Sequence, residues 1–202
     1  MTNNHACILP PLAELQGLLG LSETEAKARI AEACLRQPLQ CPRCFGRETF
    51  ARKNGRCGCR QCGCAFDLVD GRWMSIPSIS ARSWLILIKC FELGLNVREA
   101  SRMAGVPRST AYRAFRNIRL GLAAQDPVWA ADPRIGVEAL ISNPMDGFLN
   151  YLRNWTARYR GMSPEEYPLY VKECQVRFEA QGQPLFERLL ACVAAAKPIR
   201  VV

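Results

Sequence analysis

Apolar residues recur at helical spacing over most of this chain, and one stretch departs from that rhythm. In the first 40 residues a helix starts near Pro11-Leu12. A second is opened by Ser22 with Glu25 three residues on, a reciprocal capping pair, and Ala26, Ile30, Ala33 and Cys34 form its apolar stripe. Ser80 is placed to cap a helix over 81–93 that Gly94 ends, with Trp84, Leu87, Ile88 and Phe91 turned to a core. Asn96 and Glu99 repeat the capping pattern for a short helix to about Met103. Ala104-Gly105 makes a turn, and Val106-Pro107-Arg108 opens a third helix to about Leu120. Three helices with a tight Gly turn between the last two predict a helix-turn-helix. Further on, 144–159 puts Met145, Phe148, Leu149, Leu152 and Trp155 on one side of a helix. Ser163-Pro164-Glu165-Glu166 has the form of another capping box, and 184–196 turns Leu185, Leu189 and Val193 inward.

The departure lies at 41–70. Residues 49–52 and 65–68 have strand character about Asn54-Gly55, a dipeptide suited to a tight hairpin turn, with Phe50 and Phe66 as a very small apolar core. The predicted fold class is therefore mainly α: an N-terminal helical segment (1–40), a small β ribbon (41–70), a helix-turn-helix (78–122) and a C-terminal helical domain (123–202).

Cysteine usage gives the ribbon its chemistry. Cys41 and Cys44 form one C-x2-C pair, and Cys59 and Cys62 a second. Zinc takes four soft ligands at about 2.3 Å, and a C-x2-C turn sets two thiolates on one metal. Cys57 and Cys64 flank the second pair and could shift its register, but the matched spacing favours Cys59 and Cys62. Four cysteine ligands leave no open position for an activated water, so one structural Zn2+ is expected, supplying much of the folding energy of a module too small to fold alone. The other cysteines, at 7, 34, 90, 174 and 192, are scattered, which suits a reducing cytoplasm, and His5 is expected to be a solvated residue. No run approaches the roughly 20 apolar residues of a membrane helix, and no secretory signal is visible.

The net charge of +9 is unevenly spread. Lys and Arg number 3 against 4 Asp and Glu in residues 1–40, 15 against 5 in 41–120, and 9 against 9 in 121–202. The excess lies on the ribbon and the helices after it, the electrostatic footprint of a nucleic-acid reader. On the third of these helices Ala111, Phe115, Ile118 and Leu122 share one stripe, while Ser109, Tyr112, Arg113 and Arg116 fall opposite. The candidate DNA contacts are Arg108, Ser109, Tyr112, Arg113, Arg116 and Arg119. Double-stranded DNA is the expected partner. A homodimer is compatible with it, since one helix-turn-helix reads only a few base pairs. No small-molecule substrate and no membrane partner are inferred.

Residues 41–122 resemble the N-terminal part of bacterial insertion-sequence transposases that begin with a zinc ribbon and a helix-turn-helix. The likeness is carried by CPRC, CRQCGCAF, IPSISARSWLILI and STAYRAFRNIR. It implies metal ligands at Cys41, Cys44, Cys59 and Cys62 and recognition of terminal repeats by the third helix. Pro107 departs from the pattern, which has a Ser or Thr cap there. These transposases continue into a large RNase H-like core whose acidic residues hold two metals. Only 80 residues follow position 122 here, and they have helical patterning. The stretch YPLYVKECQVRFEAQGQPLFERLL is weakly similar to the tail that follows that core. The expectation is a transposase-derived, non-catalytic DNA-binding protein of the cytoplasm and nucleoid, a transcription regulator or transposon-end accessory. The alternatives are a protein-interaction adaptor with an incidental basic face and an active strand-transfer enzyme.

Overall fold

Trp84 to Phe91 is buried at every position and forms the axis on which the chain assembles. In the computed structural model, which describes residues 11–52, 55–159 and 162–198, it belongs to α3 (Ala81–Glu92). The helix starts where the Ser80 hydroxyl accepts the Ser83 N–H at 3.1 Å, as expected. A helix buried all round has to be covered on all sides. The cover comes from α1 (Pro11–Gly20), α2 (Glu23–Leu35), α4 (Val97–Ala104), α5 (Arg108–Ala124) and α10 (Phe186–Ala194), all packed on α3. The predicted capping boxes at Ser22–Glu25 and Asn96–Glu99 are both formed. Lys89 sits inside this core at 2% exposure. Burial works against its charge, but hydrogen bonds to the carboxylates of Glu14 and Glu92 outweigh it and hold the ammonium above its ordinary value.

A second core forms around α6 (Pro127–Ala131), α7 (Pro133–Ser142), α8 (Phe148–Thr156) and α9 (Tyr167–Ala180), from Trp129, Phe148, Leu152, Trp155, Leu169, Val171 and Cys174, with Ala123 from the end of α5. The segment after residue 122 thus divides: α6 to α9 build this core, and α10 returns to the first. Met145 and Leu149 are exposed, unlike the other apolar residues expected on their face. The expected capping box at Ser163 does not form. α9 begins only at Tyr167, and Glu166 makes no side-chain cap. Its carboxylate is drawn away to α5 instead.

The ribbon is a three-stranded antiparallel sheet, β1 (Thr49–Ala51), β2 (Cys57–Cys59) and β3 (Ala65–Phe66), with β2 central. Thr49 pairs with Cys59 and Cys57 with Phe66. Asn54 lies outside the described residues, while Gly55 takes the left-handed φ of 77° that the turn needs. Phe66 is buried, but Phe50 is 38% exposed: the far end of its ring lies against Gly58, where an added Cβ would come within 2.6 Å of it. Arg72 ties the ribbon to the helices. Only 2% exposed, it donates through Nε to the Leu68 carbonyl at 2.6 Å and through Nη1 to that of Ala194 at the end of α10. Among the described residues no helix is long and apolar enough to cross a membrane.

Candidate metal centre and basic helix face

Two turns of the same construction bring the four predicted ligands together. In the first, Phe45 N–H donates to the Cys41 carbonyl at 2.9 Å and Cys41 N–H to that of Gly46 at 3.0 Å. In the second, Gly63 N–H donates to the Cys59 carbonyl and Cys59 N–H to that of Cys64, both at 3.0 Å. The residue after the second cysteine of each turn is left-handed, Phe45 at φ 59° and Gly63 at φ 69°. Two related knuckles thus face one another. Cys41 Sγ lies 3.5 Å from Cys62 Sγ, Cys44 Sγ lies 3.5 Å from Cys59 Sγ, and all four sulfurs are within 4.8 Å of one another. A tetrahedral zinc with Zn–S near 2.3 Å has sulfurs about 3.8 Å apart, so the donor set fits one Zn2+.

The same geometry leaves Cys57 and Cys64 outside the cluster. Cys64 holds the position in the second knuckle that Gly46 holds in the first, with Sγ directed at the Ala65 carbonyl 3.7 Å away. Cys57 is a sheet residue paired with Ala51 and Phe66, and burial pushes its thiol up.

Within the cluster the thiols pull one another apart in acidity. Burial opposes ionisation of Cys41, but the N–H groups of Cys44 and Arg43 and the thiols of Cys62 and Cys44 bring it down to about 6. At Cys62 the N–H of Cys64 favours the thiolate, yet burial and the neighbouring thiols of Cys44, Cys41 and Cys59 drive it up to about 12. Four sulfurs this close cannot all ionise against one another. A divalent cation held by the four sulfurs would supply the missing countercharge.

After α4, Gly105 turns the chain at φ 65°, and α5 starts at Arg108 with Pro107 at its N-cap and no side-chain cap. Ala111, Phe115, Ile118 and Leu122 are buried, and Arg108, Ser109, Tyr112, Arg113 and Arg116 are exposed, as the two-faced pattern predicts. Arg119 is a correction. It is only 4% exposed, its Nε donates to Glu173 at 2.7 Å, and its guanidinium lies 3.9 Å from the centre of the Tyr170 ring. Interior packing claims it, so it is not available on the outer face.

That outer face is not uniform. Tyr112 and Arg116 are both bound to Glu166, at 2.5 and 2.7 Å, and this bond, with burial second, pushes the Tyr112 phenol up to about 12. Arg108 and Arg113 have no ion pair among the described residues, and burial, with Arg113 second, holds the neighbouring Lys197 below its ordinary value. Glu166 and Glu173 are the site residues that sequence reasoning missed; both come from about 50 residues downstream of the α5 arginines they bind. Compared with protein-family models, curated proteins and solved structures, the chain has no match.

Proposed function

We propose that this chain is a non-catalytic, zinc-containing protein that binds double-stranded DNA through α5, with α4 and α5 as the helix-turn-helix. The observation that carries the reading is the outer face of α5. It presents Arg108 and Arg113, neither in an ion pair among the described residues, on a helix that contains no acidic residue, beside Lys197, whose charge burial and then Arg113 disfavour. Like charges held together without local countercharge call for an external polyanion. In this reading the four-cysteine centre is structural and rigidifies the ribbon, whose exposed Arg43, Arg47, Arg52 and Arg60 extend the basic surface along a duplex. A transposase-derived regulator or transposon-end-binding protein of the nucleoid, acting as a dimer, is the form of this function we favour.

The non-catalytic part of the reading is supported by what the acidic residues already do. Asp126 and Asp132 cap α6 and α7, Glu173 holds Arg119 and Arg177, and Glu166 holds Tyr112 and Arg116. A two-metal site needs carboxylates converging from a rigid scaffold, and these are spread and engaged.

The test is a pair of substitutions at exposed residues that form no ion pair among the described residues. Arg108→Ala with Arg113→Ala should leave the melting temperature unchanged and weaken duplex binding. The slope of log K against log salt should fall by about 1.8, for two lost phosphate contacts. Unchanged affinity would remove α5 from the interface.

A further inference from the structure

Glu166 breaks the rule of its own helix. At the fourth position of Ser163-Pro164-Glu165-Glu166 its carboxylate would turn back to accept the backbone N–H of Ser163. Instead α9 begins at the next residue without a side-chain cap, and the carboxylate reaches α5. One oxygen accepts the Arg116 Nε–H at 2.7 Å and the other accepts the Tyr112 hydroxyl at 2.5 Å. The Arg116 side chain is 45% exposed and that of Glu166 20%, so the contact is partly covered yet open to solvent on the arginine side. An incoming ligand can reach it there.

The arrangement does account for a binding seat. Tyr112 and Arg116 stand one helical turn apart on the face of α5 that carries Arg113, and their donors converge on two oxygens of a single anion. Two oxygens of one anionic group are also what a backbone phosphate presents to an arginine and a hydroxyl. We propose that Tyr112 and Arg116 form a phosphate seat for the DNA backbone, and that Glu166 fills it in the free protein, so a duplex must displace an internal carboxylate to engage α5 fully. This rests on the DNA-binding reading above. Arg116 is then already neutralised when DNA arrives. As the phosphate sheds a cation, the freed carboxylate takes one up, and this contact adds little to the salt dependence.

Removing the carboxylate exposes the seat. Glu166→Gln should bind a fluorescein-labelled mixed-sequence duplex about fivefold more tightly at low salt. Its log K should fall more steeply with log salt, by about 0.9, the contribution of one added phosphate contact. Binding is read by anisotropy at several salt concentrations, with circular dichroism to establish that each variant is folded. In an Arg116→Ala background the same Glu166→Gln change should give no gain. Glu166→Asp, which keeps the charge but shortens its reach, should fall between wild type and Glu166→Gln, and serves if the glutamine variant folds poorly. Wild-type binding with Glu166→Gln equal or weaker, at the same slope, would overturn the seat alone. No binding by wild type or any variant, with Arg108→Ala/Arg113→Ala equally silent, would overturn the DNA reading and the seat with it.

Discussion

Replacing Glu173 by glutamine is expected to destabilise this protein severely, although Glu173 touches neither the cysteine centre nor the exposed face of α5. Its side chain is 2% exposed and accepts from Arg119 Nε at 2.7 Å and from Arg177 Nε at 2.9 Å, with those arginines 4% and 9% exposed. Arg177 also donates to the carbonyls of Phe91 and Glu92, so it keeps partners when the carboxylate is lost. Arg119 forms no other ion pair among the described residues and would be left as a buried charge against Phe91, Tyr159 and Tyr170. Removing one partner of such a pair costs about 3–5 kcal/mol. That is a large share of the roughly 5–15 kcal/mol that keeps a typical domain folded. At about 2–4 °C per kcal/mol for a chain of this size, the melting temperature should fall by roughly 10 °C. The assay is urea unfolding of zinc-saturated protein followed by far-ultraviolet circular dichroism, comparing midpoints at equal slope. Arg119→Met with Glu173→Met, which removes both charges of the pair, should recover part of the loss. A loss under about 1 kcal/mol for Glu173→Gln would contradict a structural role for the pair.

The cysteine assignment predicts that Cys41→Ser and Cys62→Ser release zinc and unfold the ribbon, while Cys57→Ser and Cys64→Ser keep one zinc per chain. Metal content after gel filtration decides this, and zinc loss in Cys64→Ser with retention in Cys62→Ser would reverse the assignment. Acid should weaken the fold in part through Asp126. Burial opposes its charge, but the Lys172 ammonium outweighs burial and holds the carboxyl below its usual value. A depressed folded pKa stabilises the protein above the unfolded value, near 4, and that stability is lost as pH falls through the folded one. Asp126→Asn should therefore flatten the acid side of a melting-temperature profile, and an unaltered profile would deny the pair that role.

What could be read along the chain was local. The caps at Ser22, Ser80 and Asn96 act within a few residues of themselves, as do the two cysteine knuckles, so spacing alone was enough to place them. Two helices went unread although their signal was present: Asp126-Pro127 and Asp132-Pro133 each put a capping carboxylate before a proline at the first helical position. β2 was hidden because Cys57-Gly58-Cys59 has no β-branched or alternating pattern. Arg119 follows Phe115 by one turn, which places it toward the packed side of α5. What made burying it tolerable is a carboxylate 54 residues away, which no local pattern announces. Glu166 failed in the opposite sense: its local rule was sound, and a long-range contact overrode it.

The central claim is that the exposed face of α5 reads DNA, and selection of bound sequences from a random duplex library tests it most directly, using zinc-loaded protein at two salt concentrations. The account predicts an enriched motif that persists at the higher salt, because base contacts add to phosphate attraction. Recovery of no motif, with all binding lost as salt rises, would contradict sequence recognition and leave only attraction to charge.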